Sequence, residues 1–140
     1  MSLSLFVDTG AWKAFIDEKD ISHKLVRGEF ARCREEKIIL ETTDYIVSET
    51  LTLLRMRPGL GYRVATQFGK MIQTTQVVRL NFVTPELFQR GWEIFEKYSD
   101  KDFSFVDCTS FAFMEKKGLR EALAFDEHFT QYGFIRRPQI

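Results

Sequence analysis

Short apolar runs alternate with longer amphipathic segments along this chain. Leu3-Ser4-Leu5-Phe6-Val7 predicts a first strand over Leu3–Asp8, and Trp12, Phe15 and Ile16 then recur at helical spacing. Leu25, Val26, Phe30 and Cys33, spaced among charged residues, predict a second helix. Ile38-Ile39-Leu40 predicts the next strand, followed by Thr42-Thr43-Asp44, with Asp44 as N-cap of a helix from Tyr45 to about Arg55. Arg57-Pro58-Gly59-Leu60-Gly61 breaks the chain. Tyr62, Ala65, Phe68, Gly69 and Ile72 mark a further amphipathic helix, and Gln76–Leu80 a third strand.

Thr84-Pro85-Glu86 has the form of a helix start, with Thr as N-cap and Pro at the first helical position. Leu87, Phe88, Gly91, Trp92 and Phe95 are its expected core stripe. Ser99–Asp102 is a polar loop. A helix containing Asp107 ends near Gly118, a strand follows at Ala122–Phe125, and a last strand is expected at Phe134–Arg136, closed by Pro138. Apolar strands alternating with amphipathic helices predict an α/β fold, a three-layer α/β/α sandwich with a mostly parallel central sheet. No repeat or long linker interrupts the pattern, so residues 1–140 read as one domain.

Composition narrows the function. The 140 residues carry 20 Lys plus Arg against 20 Asp plus Glu, so no global basic field draws in nucleic acid, and such binding would use a local patch or a metal. Fourteen Phe predict an aromatic core. Cys33 and Cys108 lack metal-type spacing and read as reduced core residues. No apolar run approaches the ~20 residues that span a bilayer, and the N-terminal run is too short for a signal-peptide core. The expectation is a cytoplasmic protein without membrane contact.

Four acids stand where their charge is awkward. Asp8 and Asp126 end apolar runs, at the strand ends where open parallel sheets bind ligands. Each could equally cap a helix or start a turn. Asp107 fits a capping box with Ser104, yet Asp107, Phe111 and Met114 share one apolar stripe. Glu49 falls at the edge of the helix face formed by Ile46, Val47, Thr50, Leu51, Leu53 and Leu54. Gathering carboxylates is opposed by roughly 4 kcal/mol per pair at 4 Å with an effective dielectric near 20. Protons or a cation must neutralise such a cluster. Oxygen donors without paired His or Cys suit Mg²⁺ or Mn²⁺, ions that hold phosphates and activate water for phosphodiester attack.

The ordered motifs Phe6-Val7-Asp8-Thr9, Ser48-Glu49, Phe105-Val106-Asp107 and Phe125-Asp126 followed by His128-Phe129 resemble the PIN domain, and within it the VapC-type ribonuclease toxins. The resemblance covers nearly the whole chain and is most specific from Lys101-Asp102 to Gly133-Phe134. It implies a Mg²⁺- or Mn²⁺-dependent endoribonuclease acting on single-stranded RNA, a homodimer, and a small antitoxin that occupies the active site. Carried over residue by residue, Asp8, Glu49, Asp107 and Asp126 match the acidic quartet. Asp8 and Asp107 are then the first choice as direct metal ligands, with Asp126 and Glu49 completing the site through water or a second ion. Thr9 and Ser104 are secondary hydrogen-bonding partners, and Asp102 is a further acid at the rim. No general base stands out, so water activated by the metal is the more economical nucleophile. His128 reads as a structural or rim residue. Arg55, Arg57, Arg63 and Lys101 are weak candidates for RNA contact, since solvated charge explains each as well.

Three other readings compete. Asp8-Thr9-Gly10-Ala11 resembles the aspartic-protease signature, but that fold is all-β. Haloacid-dehalogenase phosphatases need a second Asp two residues after the first, where Gly10 stands. A non-catalytic binding module of the PIN fold is the third.

Overall fold

The computed structural model describes residues 3–138. The chain runs β1 (Ser4–Val7), α1 (Thr9–Ile16), α2 (His23–Glu35), β2 (Ile39–Thr43), α3 (Asp44–Met56), α4 (Tyr62–Thr74), β3 (Val78–Asn81), α5 (Pro85–Lys97), α6 (Phe105–Lys117), β4 (Glu121–Leu123), α7 (His128–Tyr132) and β5 (Ile135–Arg137). The strands form one sheet of order β3-β2-β1-β4-β5, and every pairing is parallel. Helices cover both faces, as a parallel sheet with apolar strands requires. This α/β architecture is the expected one and leaves no room for an all-β protease. Among the described residues, no helix is long and apolar enough to cross a membrane.

The strand order reverses at β1. The chain moves outward through β2 and β3, then returns to place β4 on the other side of β1. A crevice forms at such a switch point, outside the carboxyl ends of the strands. The Asp8 amide donates to the Leu123 carbonyl at 3.0 Å, fixing the end of β1 beside the end of β4. Below it, Phe6 is fully buried between Phe113 of α6 and Phe129 of α7, with ring centroids 5.8 and 6.0 Å away.

Several expectations shift. Thr43, not Asp44, caps α3: its hydroxyl accepts from the Ile46 amide, while Asp44 accepts from the Val83 amide at 2.8 Å. The third strand begins at Val78 rather than Gln76, and the last is Ile135–Arg137 rather than Phe134–Arg136. Tyr62 is exposed, although Ala65, Phe68, Gly69 and Ile72 are buried as expected.

The largest shift concerns α5. Its buried stripe is Leu87, Gly91 and Ile94, whereas Phe88, Trp92 and Phe95 are exposed. Gly91 decides which stripe turns inward. A Cβ there would lie 2.8 Å from Thr109 Cγ2 and 3.2 Å from the Thr109 backbone, so only glycine lets α5 approach α6 this closely. Alanine gains about 1 kcal/mol in helix propensity. Overpacking against a backbone exceeds that gain, so Gly91→Ala is expected to destabilise by about 1–2 kcal/mol net, read from denaturant midpoints. An unchanged or raised midpoint would refute the close-approach argument.

Candidate active site

Buried acids in this fold differ in how their charge is met. Glu41 is buried but lies 3.6 Å from Arg79 and accepts from Asn81 Nδ2 at 3.2 Å. Asp17 is buried but sits 3.0 Å from Lys13. Asp8 is buried at the end of β1 with no cation paired to it among the described residues. It occupies the N-cap position of α1, yet its side chain makes no capping bond. The ordinary reasons for an aspartate at a strand end therefore do not account for its carboxylate.

Electrostatics place the other acids around it. Burial first, then the charges of Asp126, Asp107 and Glu49, push the Asp8 carboxyl well above the usual carboxylate range, opposed by the Thr9 amide. The four residues that the motif order singles out therefore interact through their charge, each from a different element. Asp8 comes from the β1–α1 junction, Glu49 from α3, Asp107 from the first turn of α6, and Asp126 from the segment between β4 and α7.

Small residues and turns aim these groups. Thr9 is buried and donates from Oγ1 to Glu49 Oε1 at 2.5 Å, holding an otherwise exposed helix-rim carboxylate toward β1. Ser104 and Asp107 form the expected capping box: Ser104 Oγ accepts from the Asp107 amide and Asp107 Oδ2 from the Ser104 amide, both at 3.0 Å. Capping consumes one Asp107 oxygen and leaves the other for a ligand. Burial raises the Asp107 carboxyl and the Asp126 charge adds to it, while the Ser104 amide and His128 oppose them.

Of the two readings of His128, structural or rim, its contacts favour the structural one. Its Nδ1 lies 2.7 Å from Asp107 Oδ2, and its backbone amide donates to Asp126 Oδ1 at 2.9 Å. Its ring is also packed edge-on to Phe103, with centroids 5.6 Å apart. Donor atoms of Asp107, Asp126 and His128 lie within 4.8 Å of one another. Asp126 is exposed and stands three residues beyond β4, not at its end. Arg136 compensates: its Nη1 donates to the carbonyls of Phe125 and Asp126 at 2.6 and 2.8 Å, so β5 holds the loop that presents Asp126.

The remaining candidates divide. Lys101 and Asp102 line a small cleft with Glu127, His128 and Gln131, next to the acids, and Lys101 pairs with Asp100 at 3.3 Å. Arg55 lies over the Tyr62 ring at 5.1 Å, and Arg57 lines a separate cleft with Lys13, Asp17 and Asp20. Arg55 and Arg57 stand at the far end of α3, and the exposed Arg63 follows them on α4. The four cations therefore do not form one patch.

A family model described as the PIN domain matches residues 5–135. The chain belongs to the PIN domain family. Within that family, this PIN domain is 36% identical over 136 residues to the 23S rRNA-specific endonuclease VapC20 of Mycobacterium tuberculosis, in strains CDC 1551 and H37Rv alike. The match spans 96% of this chain and 99% of VapC20. The crystal structure of VapC20, described as a Sarcin-Ricin loop cleaving toxin, superposes with a TM-score of 0.83 over 94% of this chain and 96% of that one. FitAcB from Neisseria gonorrhoeae, at 12% identity and a TM-score of 0.68 over 94% of this chain and 95% of that one, shares the fold.

Proposed function

We propose that this PIN domain is a divalent-metal-dependent endoribonuclease and the toxin of a toxin–antitoxin pair. The observation that carries the reading is Asp8, a buried carboxylate without a cap bond or a paired cation, surrounded by three further acids. Carboxylate oxygens at such a point, with a single His beside them, fit a hard cation, Mg²⁺ or Mn²⁺. Asp8 and the free oxygen of Asp107 would hold it, with Asp126 and Glu49 completing the shell. When bound, the ion supplies charge neutralisation at a phosphodiester and an acidified water. The chain's own residues do the positioning: Thr9 orients Glu49, Ser104 and His128 orient Asp107, and Arg136 holds the Asp126 loop. Near-complete coverage of VapC20 supports a looped segment of 23S rRNA as the substrate. RNA loops present unstacked bases and a bent backbone that duplexes lack.

The test is incubation of purified chain with ribosomes and with naked 23S rRNA, in Mg²⁺, Mn²⁺ or EDTA, with cleavage sites mapped by primer extension. A discrete cut that requires the metal is expected. Cleavage that persists in EDTA would remove the metal from the mechanism.

His128 provides a finer test. Loss of a hydrogen bond to a metal-binding carboxylate typically lowers metal affinity or activity 10–100-fold. His128→Ala is expected to lower kcat/KM by about tenfold, and His128→Asn to recover part of it, since an amide can donate near the Nδ1 position. Equal losses in both variants would argue that the ring's packing on Phe103, not its hydrogen bond, is what matters.

The exposed aromatics of α5 suit a homodimer. Phe88, Trp92 and Phe95 lie at i, i+4 and i+7, and Phe105 packs 5.0 Å from Phe88 and 6.0 Å from Phe95. Aromatic side chains dominate interface cores, and a two-fold axis lets one such stripe pack on its copy. Trp92→Glu is expected to convert a dimer to a monomer in light scattering at micromolar concentration. A dimer that survives the substitution places the interface elsewhere.

A further inference from the structure

A depression of about 570 Å³ opens between α3 and the first turn of α6. Tyr45, Ser48, Glu49, Thr52 and Leu53 line it from one side and Val106 from the other. The α3 residues follow Tyr45 by three, four, seven and eight positions, so one helix face supplies them all. Two of the lining residues tie the depression to the acids. Glu49 is the carboxylate that Thr9 holds, and Val106 directly precedes Asp107.

The chemistry of this depression differs from that of the acids. Among the described residues no Lys, Arg or His lines it, so it offers a phosphate no counter-charge, and Glu49 repels one. Its walls are instead the half-buried side chains of Tyr45, Leu53 and Val106. Tyr45 stands in the first turn of α3 among anchored neighbours. Thr43 Oγ1 accepts from the Ile46 amide at 3.2 Å, and Asp44 accepts from the Val83 amide at 2.8 Å. The backbone that carries the ring is thus fixed at the carboxyl end of β2, the end where open parallel sheets bind ligands. Phe103, Phe111 and Tyr132 pack ring on ring, but Tyr45 belongs to no such pair among the described residues. Two hydroxyls are also uncommitted. Thr50 donates to the Ile46 carbonyl at 2.8 Å, whereas the exposed Ser48 and Thr52 make no side-chain hydrogen bond among the described residues.

We propose that this depression receives one unstacked base of the RNA, from a nucleotide next to the scissile phosphate, with Tyr45 as the stacking surface and Leu53 and Val106 as walls. The proposal rests on the ribonuclease reading. A flat, neutral base suits aromatic and aliphatic walls beside a carboxylate that a phosphate would avoid. Single-stranded RNA is recognised chiefly through such splayed bases, stacked on aromatic side chains. Ser and Thr hydroxyls both donate and accept, so Ser48 and Thr52 can meet any base edge. The site therefore selects an unstacked base over a stacked one more than one base over another. Seating that base fixes where the neighbouring phosphate falls relative to Asp8 and Asp107, which makes Tyr45 a specificity-determining residue.

The test uses an RNA hairpin carrying the cut site mapped in 23S rRNA, and a set of hairpins that each lack one base on either side of the cut. Tyr45→Ala is expected to lower kcat/KM about tenfold, the scale of one base–aromatic stack, and Tyr45→Phe to stay near wild type. Removing the base at one flanking position should slow the wild type by a similar factor and Tyr45→Ala hardly at all, because both changes delete the same contact. Thr52→Phe, at an exposed position, fills the depression without disturbing the core. It should slow cleavage of intact RNA and erase the penalty of the missing base. Full activity in Tyr45→Ala, or losses that add at every position in both variants, would overturn the proposal. So would a changed oligomeric state of Tyr45→Ala in light scattering, which would assign the depression to a second copy of the chain. Metal-dependent cleavage by the wild type without position-specific coupling to Tyr45 defeats only this proposal. Absence of metal-dependent cleavage defeats the nuclease reading, and this proposal with it.

Discussion

Asp107→Asn is expected to lower RNA cleavage by about a thousandfold or more, equivalent to ~4 kcal/mol of barrier, with the fold intact. Asparagine keeps the size of the side chain and an oxygen able to accept from the Ser104 amide, so the capping box that starts α6 survives in part. What is lost is the negative charge on a group that feels the Asp126 charge and acts on Asp8. The helix it starts is buried continuously from Asp107 to Met114, and Phe111 within it stacks on Tyr132 at 4.5 Å. That packing does not depend on the Asp107 charge. Single-turnover cleavage of 23S rRNA, with circular dichroism alongside, separates the two effects. Loss of cleavage together with loss of helicity would mean that Asp107 is chiefly a cap. Retained cleavage would remove it from the metal site.

The contrast between Asp107 and His128 shows what a sequence discloses. The Ser104–Asp107 box is local, three residues apart, and its chemistry follows from helix geometry, so it was legible before any fold was known. Asp8 was legible because an apolar run that stops at a carboxylate is unusual in itself. Glu49 was legible as a rim position from helical phase alone. His128 and Arg136 were not: their contacts reach residues 21 and 10 or 11 positions away, across elements whose adjacency only the strand order creates. The buried stripe of α5 departs from its periodicity for a related reason. Leu87, Gly91 and Ile94 lie beside Phe88, Trp92 and Phe95 on one broad apolar surface, and periodicity cannot choose between neighbouring stripes. The contact between Gly91 and Thr109 makes that choice.

Asp8→Asn is expected to do two opposite things: abolish cleavage and stabilise the metal-free protein. The folded-state pKa of Asp8 is raised well above its unfolded value near 3.9, chiefly by burial and then by Asp126 and Asp107. The folded chain therefore binds this proton more tightly than the unfolded chain does. The stability that the group contributes is fully present below pH ~3.9 and is lost as pH rises through the folded pKa, because the buried carboxylate must then ionise. Asp107, shifted in the same direction, adds to the slope. The neutral amide of the variant has no such loss, so the gap between variant and wild type should open from pH ~4 upward and level off above the folded pKa of Asp8. Helix capping does not confuse the comparison, since Asp8 makes no side-chain cap bond and asparagine is an equally good N-cap residue. Adding Mn²⁺ should reverse the order. At 100 times its dissociation constant a ligand adds about 2.7 kcal/mol to the wild type, on the order of 10 °C for a chain of this length. The variant, lacking a central ligand, should gain little of that. Thermal unfolding of both proteins between pH 4 and 8, in EDTA and in Mn²⁺, reads the stabilisation, its pH dependence and its reversal by metal, and the cleavage assay reads the loss of activity. A variant less stable than wild type in EDTA at neutral pH would mean that the Asp8 charge is satisfied inside the fold, and that the crevice is built for something other than a cation.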